Sequence, residues 1–409
     1  MLGKQVFFEI PLFKSGFRPF FLLGSLYGLL LMLFWLPLTI GQSHWIGGSS
    51  GFMLWHQHEM LFGFVAAIVC GFIMTALPSW AKSKEIDKGK LAFLVAVWLA
   101  GRIAVIAGGM IPQPLVGLID LAFPVAFLII AGPELFYVQN KFYLLLFPFL
   151  LALFFGNLLF YFGMTHSDWM LAGKGIRLGI YTIIFHCTIV GGFLTPIFTE
   201  TALQESHSEC HVFGHRIWDW LSLITIPILA LSDILEFDPM WQAGIAFSSV
   251  FVHSMRMSGW QSARILDKPV LWIMHLGYAW LVIAFALKGL EDIGLLTENG
   301  IWVHAFTVGT LGSLMMGFMT RIVLRHTGRP VSPHPFLVVC FYLMFVSGLM
   351  RVFGTVAEVN SQLLILSALL WAIPFLVYLI FYGKMLVQPS LPRIKAVQKH
   401  EVEASTPSM

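Results

Sequence analysis

The sequence predicts an all-α fold: a polytopic membrane bundle of about twelve helices, with both termini cytoplasmic. Three observations carry this. Of 409 residues, 58% are hydrophobic and only 11% are charged, where soluble domains average about 25% charged. The apolar residues gather into runs close to the roughly 20 residues that an α-helix needs to cross a bilayer. Lysine and arginine concentrate at alternate ends of those runs, as the positive-inside rule requires.

The runs fall at residues 18–40, 55–78, 90–108, 113–131, 142–163, 175–195, 217–236, 239–258, 269–287, 300–322, 333–354 and 362–386. Short connections rich in Gly, Pro and Asn separate them, and no soluble domain interrupts them. Residues 1–387 therefore read as one membrane domain, and residues 388–409 as a polar, disordered cytoplasmic tail. With the N-terminus inside, 19 of the 24 basic residues lie at cytoplasmic ends. The five exceptions are Arg102, Lys174, Arg177, Lys288 and Arg351. No removable signal peptide is evident. Cys70, Cys187, Cys210 and Cys340 form no CxxC pair, which argues against a disulfide framework. A net charge of +3 is too small to point to nucleic acid.

The second run, WHQHEMLFGFVAAIVCGFIMTALPSW from Trp55 to Trp80, organises the rest. At helical spacing His56, Glu59, Gly63, Ala67, Cys70 and Met74 share one face, and His58 lies on the other side. Small residues along the His56 face suit close approach by a helix or a flat cofactor. Ionisable groups inside a span are costly and usually functional.

The predicted topology sets the histidines at defined depths. His56, His58 and His304 lie at the outer ends of spans two and ten. His186 lies about 17 Å down span six, near the midplane. His253 and His275 fall in the inner thirds of spans eight and nine. Each, taken singly, is as well explained by a hydrogen bond to a neighbouring helix as by metal binding. As a set they favour metal, because neutral imidazole suits iron and copper and hydrocarbon offers few other partners.

His56, His58 and His304 can bracket one haem near the outer surface. His186 is either an axial ligand, part of a copper site or a satisfied core residue. Arg256 shares a face with His253 and Trp260; it reads as a clamp for a haem propionate or as a cytoplasmic anchor. His275 can complete an inner metal site with His253. His207, His211 and His215 recur at four-residue spacing in a loop, where a solvated segment is the simpler reading over a zinc or copper stripe. There is no Walker A loop, GxSxG elbow, HExxH or CxxCH, so nothing points to ATP hydrolysis, serine hydrolysis, zincin chemistry or covalent haem.

Several motifs together resemble the NnrS family: GFRPFFLL (Gly16–Leu23), WHQHEMLFGF (Trp55–Phe64), GFIMTALPSW (Gly71–Trp80) and GGFLTPIFT (Gly191–Thr199). LWIMHLGYAWL (Leu271–Leu281) and HAFTVGTLGSLMMGFMTRIVLRHTGRP (His304–Pro330) extend the likeness. The resemblance implies a twelve-helix bacterial inner-membrane protein. It would bind haem b and copper and protect against nitric oxide stress, with a diatomic ligand such as NO and an unidentified electron donor as partners. The implied ligands land on His56, His58, His186, His275 and His304. A looser similarity to haem–copper oxidases breaks down where span seven lacks a His-His pair and span ten carries one histidine, which puts copper of that type and oxidase activity in doubt. Two other classes stay open: a secondary transporter with a His- and Arg-lined path, and a maturation partner that passes haem or copper onward.

Overall fold

Burial sorts the helices into an inner and an outer set. The structure, a computed structural model, describes residues 10–39, 48–205, 212, 214, 216–296, 300–356 and 361–392. Of the described residues, 85% are helical and none is in a strand. Among them, eleven helices are long and apolar enough to cross a membrane. These are α1 (Phe17–Leu36), α2 (Gly51–Ala81), α3 (Lys88–Ile106), α4 (Gln113–Leu135), α5 (Lys141–Thr165) and α6 (Trp169–Glu205). The series continues with α7 (Arg216–Ile234), α9 (Pro269–Asp292), α10 (Ile301–His326), α11 (Pro335–Thr355) and α12 (Gln362–Val387).

The count differs from twelve at one segment. The run at 239–258 does form a helix, α8 (Pro239–Ser258), but it is less apolar than the others. Its buried face carries Gln242, Ser249, His253 and Arg256; Ser249 bonds within α8, and the other three find partners on α7 and α9, against which α8 packs. The histidine series at 207, 211 and 215 lies outside the described residues, as does Cys210. The other cysteines, Cys70, Cys187 and Cys340, are buried free thiols.

Four helices sit at the centre. The most apolar windows of α2 and α6 are each 83% buried, that of α10 78% and that of α9 67%, whereas none of the other seven spans exceeds 50%. The central four are also the helices that carry His56, His58, His186, His275 and His304. Two of them open into π-helix immediately after a histidine: Glu59–Val65 follows His58, and Ala305–Leu311 follows His304. Such wide turns inside an α-helix are rare and cluster at functional sites.

The first and last spans close the bundle on each other, α12 against α1. Buried Arg18 at the start of α1 donates to the carbonyls of Met385 (3.1 Å), Leu386 (2.9 Å) and Gln388 (2.7 Å) and to the Ser390 hydroxyl (2.8 Å). One side chain thus satisfies the orphan carbonyls at the end of α12. Leu391 N–H donates to Thr327 O at 2.9 Å, so residues 388–391 are bonded to the bundle, although the sequence reading begins the loose tail at 388. Arg18→Gln is expected to free this end. Limited proteolysis in detergent should then cleave after Leu386 much faster than in the wild type; unchanged cleavage would show that the cap contributes nothing.

Candidate functional site

The strongest electrostatic feature in the bundle is a buried network contributed by five consecutive helices. Glu59 on α2 accepts from Arg102 Nη1 at 2.6 Å on both carboxylate oxygens and from the Tyr27 hydroxyl of α1. Arg102 Nη2, from α3, binds Asp120 of α4. Asn157 of α5 donates to Asp120 Oδ2 at 2.9 Å. His58 lies between the two carboxylates, with Nδ1 2.8 Å from Glu59 Oε1 and Nε2 2.9 Å from Asn157 Oδ1 and 3.4 Å from Asp120 Oδ2. Its ring stacks on Phe160 at a centroid distance of 4.4 Å. All these charged groups are buried. Two carboxylates face one guanidinium and one doubly engaged imidazole, so the charges can balance inside the low-dielectric interior.

This geometry changes the reading of α2. Glu59 sits between the two faces of the helix, and its carboxylate turns to His58 rather than to His56. The close approach at Gly63 is made by an arginine: a Cβ there would lie 2.5 Å from Arg102 Nη1 and 3.0 Å from Tyr27. His58 has both ring nitrogens committed to oxygen acceptors, leaving no lone pair for a metal. It holds the network together and does not join His56 and His304.

Those two histidines do come together, at one end of the bundle, with Trp35 of α1 and Arg351 of α11. The His56 ring lies 5.6 Å from the Trp35 ring, and its Nδ1 is buried without a hydrogen-bond partner. The same Trp35 ring lies 5.6 Å beneath the Arg351 guanidinium. His304 Nδ1 is 3.1 Å from the Gly300 carbonyl, an acceptor, so this nitrogen carries the hydrogen. Its Nε2 is then the bare nitrogen, and it accepts from Arg351 Nη2 at 2.8 Å. A ring whose second nitrogen donates to a backbone carbonyl is the usual arrangement of a metal-binding histidine.

The inner candidates do not converge. His275 uses both nitrogens on hydroxyls, Nε2 on Thr199 (2.8 Å) and Nδ1 on Ser262 (2.7 Å). His253 Nδ1 meets the Tyr278 hydroxyl at 2.9 Å, and the Trp260 ring contacts both His275 (5.6 Å) and Tyr278 (4.6 Å). His186 is buried between Phe149 (4.8 Å) and Phe72 (6.1 Å), its Nδ1 without a partner. Among the described residues no group of three or more His, Cys, Asp or Glu is placed to hold a metal ion. Arg256 is engaged as well: Nε on Asp219 of α7 (2.8 Å), and Nη1 on the Thr188 carbonyl (2.8 Å) and the Tyr278 hydroxyl (3.0 Å). It ties α6, α7, α8 and α9 together instead of anchoring at a surface.

A further cluster at Lys288 joins α9 to α7 and α8. Its ammonium binds Asp292 (2.8 Å), Gln242 (3.2 Å) and Asp233 (3.5 Å). Arg102, Lys288 and Arg351 were three of the five exceptions to the charge asymmetry. Two of them are buried ion-paired residues and the third is bonded to His304, so they report on the interior and not on topology. Sequence reasoning passed over Arg102, Asp120, Asn157 and Arg351. Their signal was present, since each is a polar or charged residue within a predicted span.

The family model described as NnrS protein matches residues 11–390, nearly the whole described chain. A search among curated proteins gave no match.

Proposed function

The chain belongs to the NnrS family, and from that premise we propose that it is a bacterial inner-membrane protein that holds haem and limits damage by nitric oxide. The observation that carries the reading is that His56 and His304 flank one Trp35–Arg351 pair. One has an unpartnered buried nitrogen, and the other has its bare Nε2 fixed by the Gly300 carbonyl; both lie beside an arginine. His56 and His304 would hold the iron. When bound, haem would supply an iron that takes up a diatomic ligand once one of the two imidazoles gives way, and an apolar bilayer already concentrates such gases. The buried Trp35 ring packs against His56, and the Gly300 carbonyl keeps His304 in the tautomer that leaves Nε2 bare. The electron donor lies outside this chain. The fit does not extend to copper, because His186, His253 and His275 do not share a site, and we assign copper to no described residue.

Purified protein should show a Soret band with stoichiometric iron. His56→Ala and His304→Ala should each lose most of the haem while inserting normally, and His166→Ala, at an exposed position, should retain it. A wild-type protein without Soret absorbance or iron overturns the haem reading. Full haem content in both variants overturns the assignment of these ligands.

A further inference from the structure

Each fully buried cation in the described spans has an oxygen partner. Arg102 faces two carboxylates, Arg256 has Asp219, Lys288 has Asp233 and Asp292, and Arg18 has three carbonyls and a hydroxyl. Arg351 differs. Its guanidinium donates to the neutral His304 imidazole at 2.8 Å and lies 5.6 Å over the face of Trp35, and among the described residues it forms no ion pair. A neutral imidazole satisfies one N–H but cancels no charge. An indole face offers a fraction of what a carboxylate supplies. Guanidinium is also the side chain best shaped to take a planar oxyanion through two parallel N–H bonds.

From this we infer that Arg351, flanked by His56, His304 and Trp35, is the seat of a carboxylate or similar small oxyanion. Two sources share that chemistry: a propionate of the bound haem, and a free oxyanion such as nitrite. In the first case the inference rests on the haem reading; in the second it stands without it. The sequence reading offered Arg256 as a propionate clamp or a cytoplasmic anchor, but that guanidinium already has a carboxylate, and among the described residues Arg351 has none. The same side chain occupies the Nε2 position that iron would need on His304. An anion that draws Arg351 away therefore also uncovers the ligand.

The test uses the full-length protein, prepared without haem, and its Arg351→Gln and Arg351→Lys variants. Each is titrated with haem, with haem dimethyl ester and with nitrite, following Soret absorbance and tryptophan fluorescence. If a propionate is the occupant, the wild type should bind haem at least about tenfold more tightly than the ester. Arg351→Gln should abolish that preference, and Arg351→Lys should keep part of it, because one charge remains without the two-pronged geometry. If a free oxyanion is the occupant, nitrite should change the fluorescence of the wild type but not of Arg351→Gln. Nitrite binding in a protein that takes no haem would uphold the site and overturn the haem reading. Haem binding with no ester discrimination and no Arg351-dependent nitrite signal would do the opposite. A normal melting temperature in Arg351→Lys guards against a folding defect, and a variant that binds every ligand like the wild type overturns the site.

Discussion

Arg102→Ala is expected to destabilise the bundle by roughly 3–5 kcal/mol, the usual consequence of removing one partner from a buried ion pair. The substitution leaves Glu59 and Asp120 in the interior with only His58 to balance them, and neither carboxylate can reach water. Removal of the side chain also opens space against Gly63, where the guanidinium now packs. Detergent-solubilised protein should melt well below the wild type and accumulate poorly in the membrane. The double variant Arg102→Met/Glu59→Gln should recover a large part of the loss, since it restores charge balance between Asp120 and His58 and refills the volume. A single variant that melts like the wild type would mean that the network is solvated and that its apparent burial carries no cost. A double variant worse than the single would show that geometry matters more than charge.

Gly175→Ala should be among the most damaging single-methyl changes in the α5–α6 pair, with Gly163→Ala, at about 1–3 kcal/mol, the range for overpacking a tight interface. A Cβ there would stand 2.5 Å from the backbone nitrogen of Phe160 and 2.7 Å from the Gly156 carbonyl. Both are backbone atoms of α5 and cannot turn aside, so the two helices must separate. Phe160 stacks on His58 and Asn157 bonds to it, so the shift should also loosen the network on α2. Two residues earlier, Gly173 has nothing within 4 Å of the same position. Gly173→Ala should therefore be neutral or stabilising by up to about 1 kcal/mol through helix propensity. Melting temperatures of the two variants decide the matter, and equal values would refute close helix contact at Gly175.

Much of the architecture could be read before any coordinates. Runs of hydrocarbon-length apolar residues mark eleven helices, and α8 was found as well because its length matched even though its polar content did not. Partnerships were harder to read. His58 and His56 are two residues apart and chemically alike, yet one is consumed by Glu59 and Asn157 and the other is left with a bare nitrogen. Part of the difference comes from Asn157, which α5 brings to His58 from 99 positions away. His253 and His275 fell at similar predicted depth, but equal depth on different helices says nothing about direction, and each found its own hydroxyl partner. Arg351 read as one of five exceptions to the charge asymmetry; only its placement beside His304 gives it a role.

The sequence alone determined that the chain is a bundle of membrane helices of the NnrS family, with imidazoles on the second, sixth, ninth and tenth spans. Hydropathy and motif are local properties, and local properties survive without a fold. The tertiary structure decided which imidazoles are free and which are spent, and that Arg102 is neutralised while Arg351 meets no carboxylate among the described residues. Those outcomes depend on hydrogen bonds and ion pairs between residues tens to hundreds of positions apart. Inside a bilayer, where water cannot stand in for a missing partner, such pairings determine what each polar group is able to do.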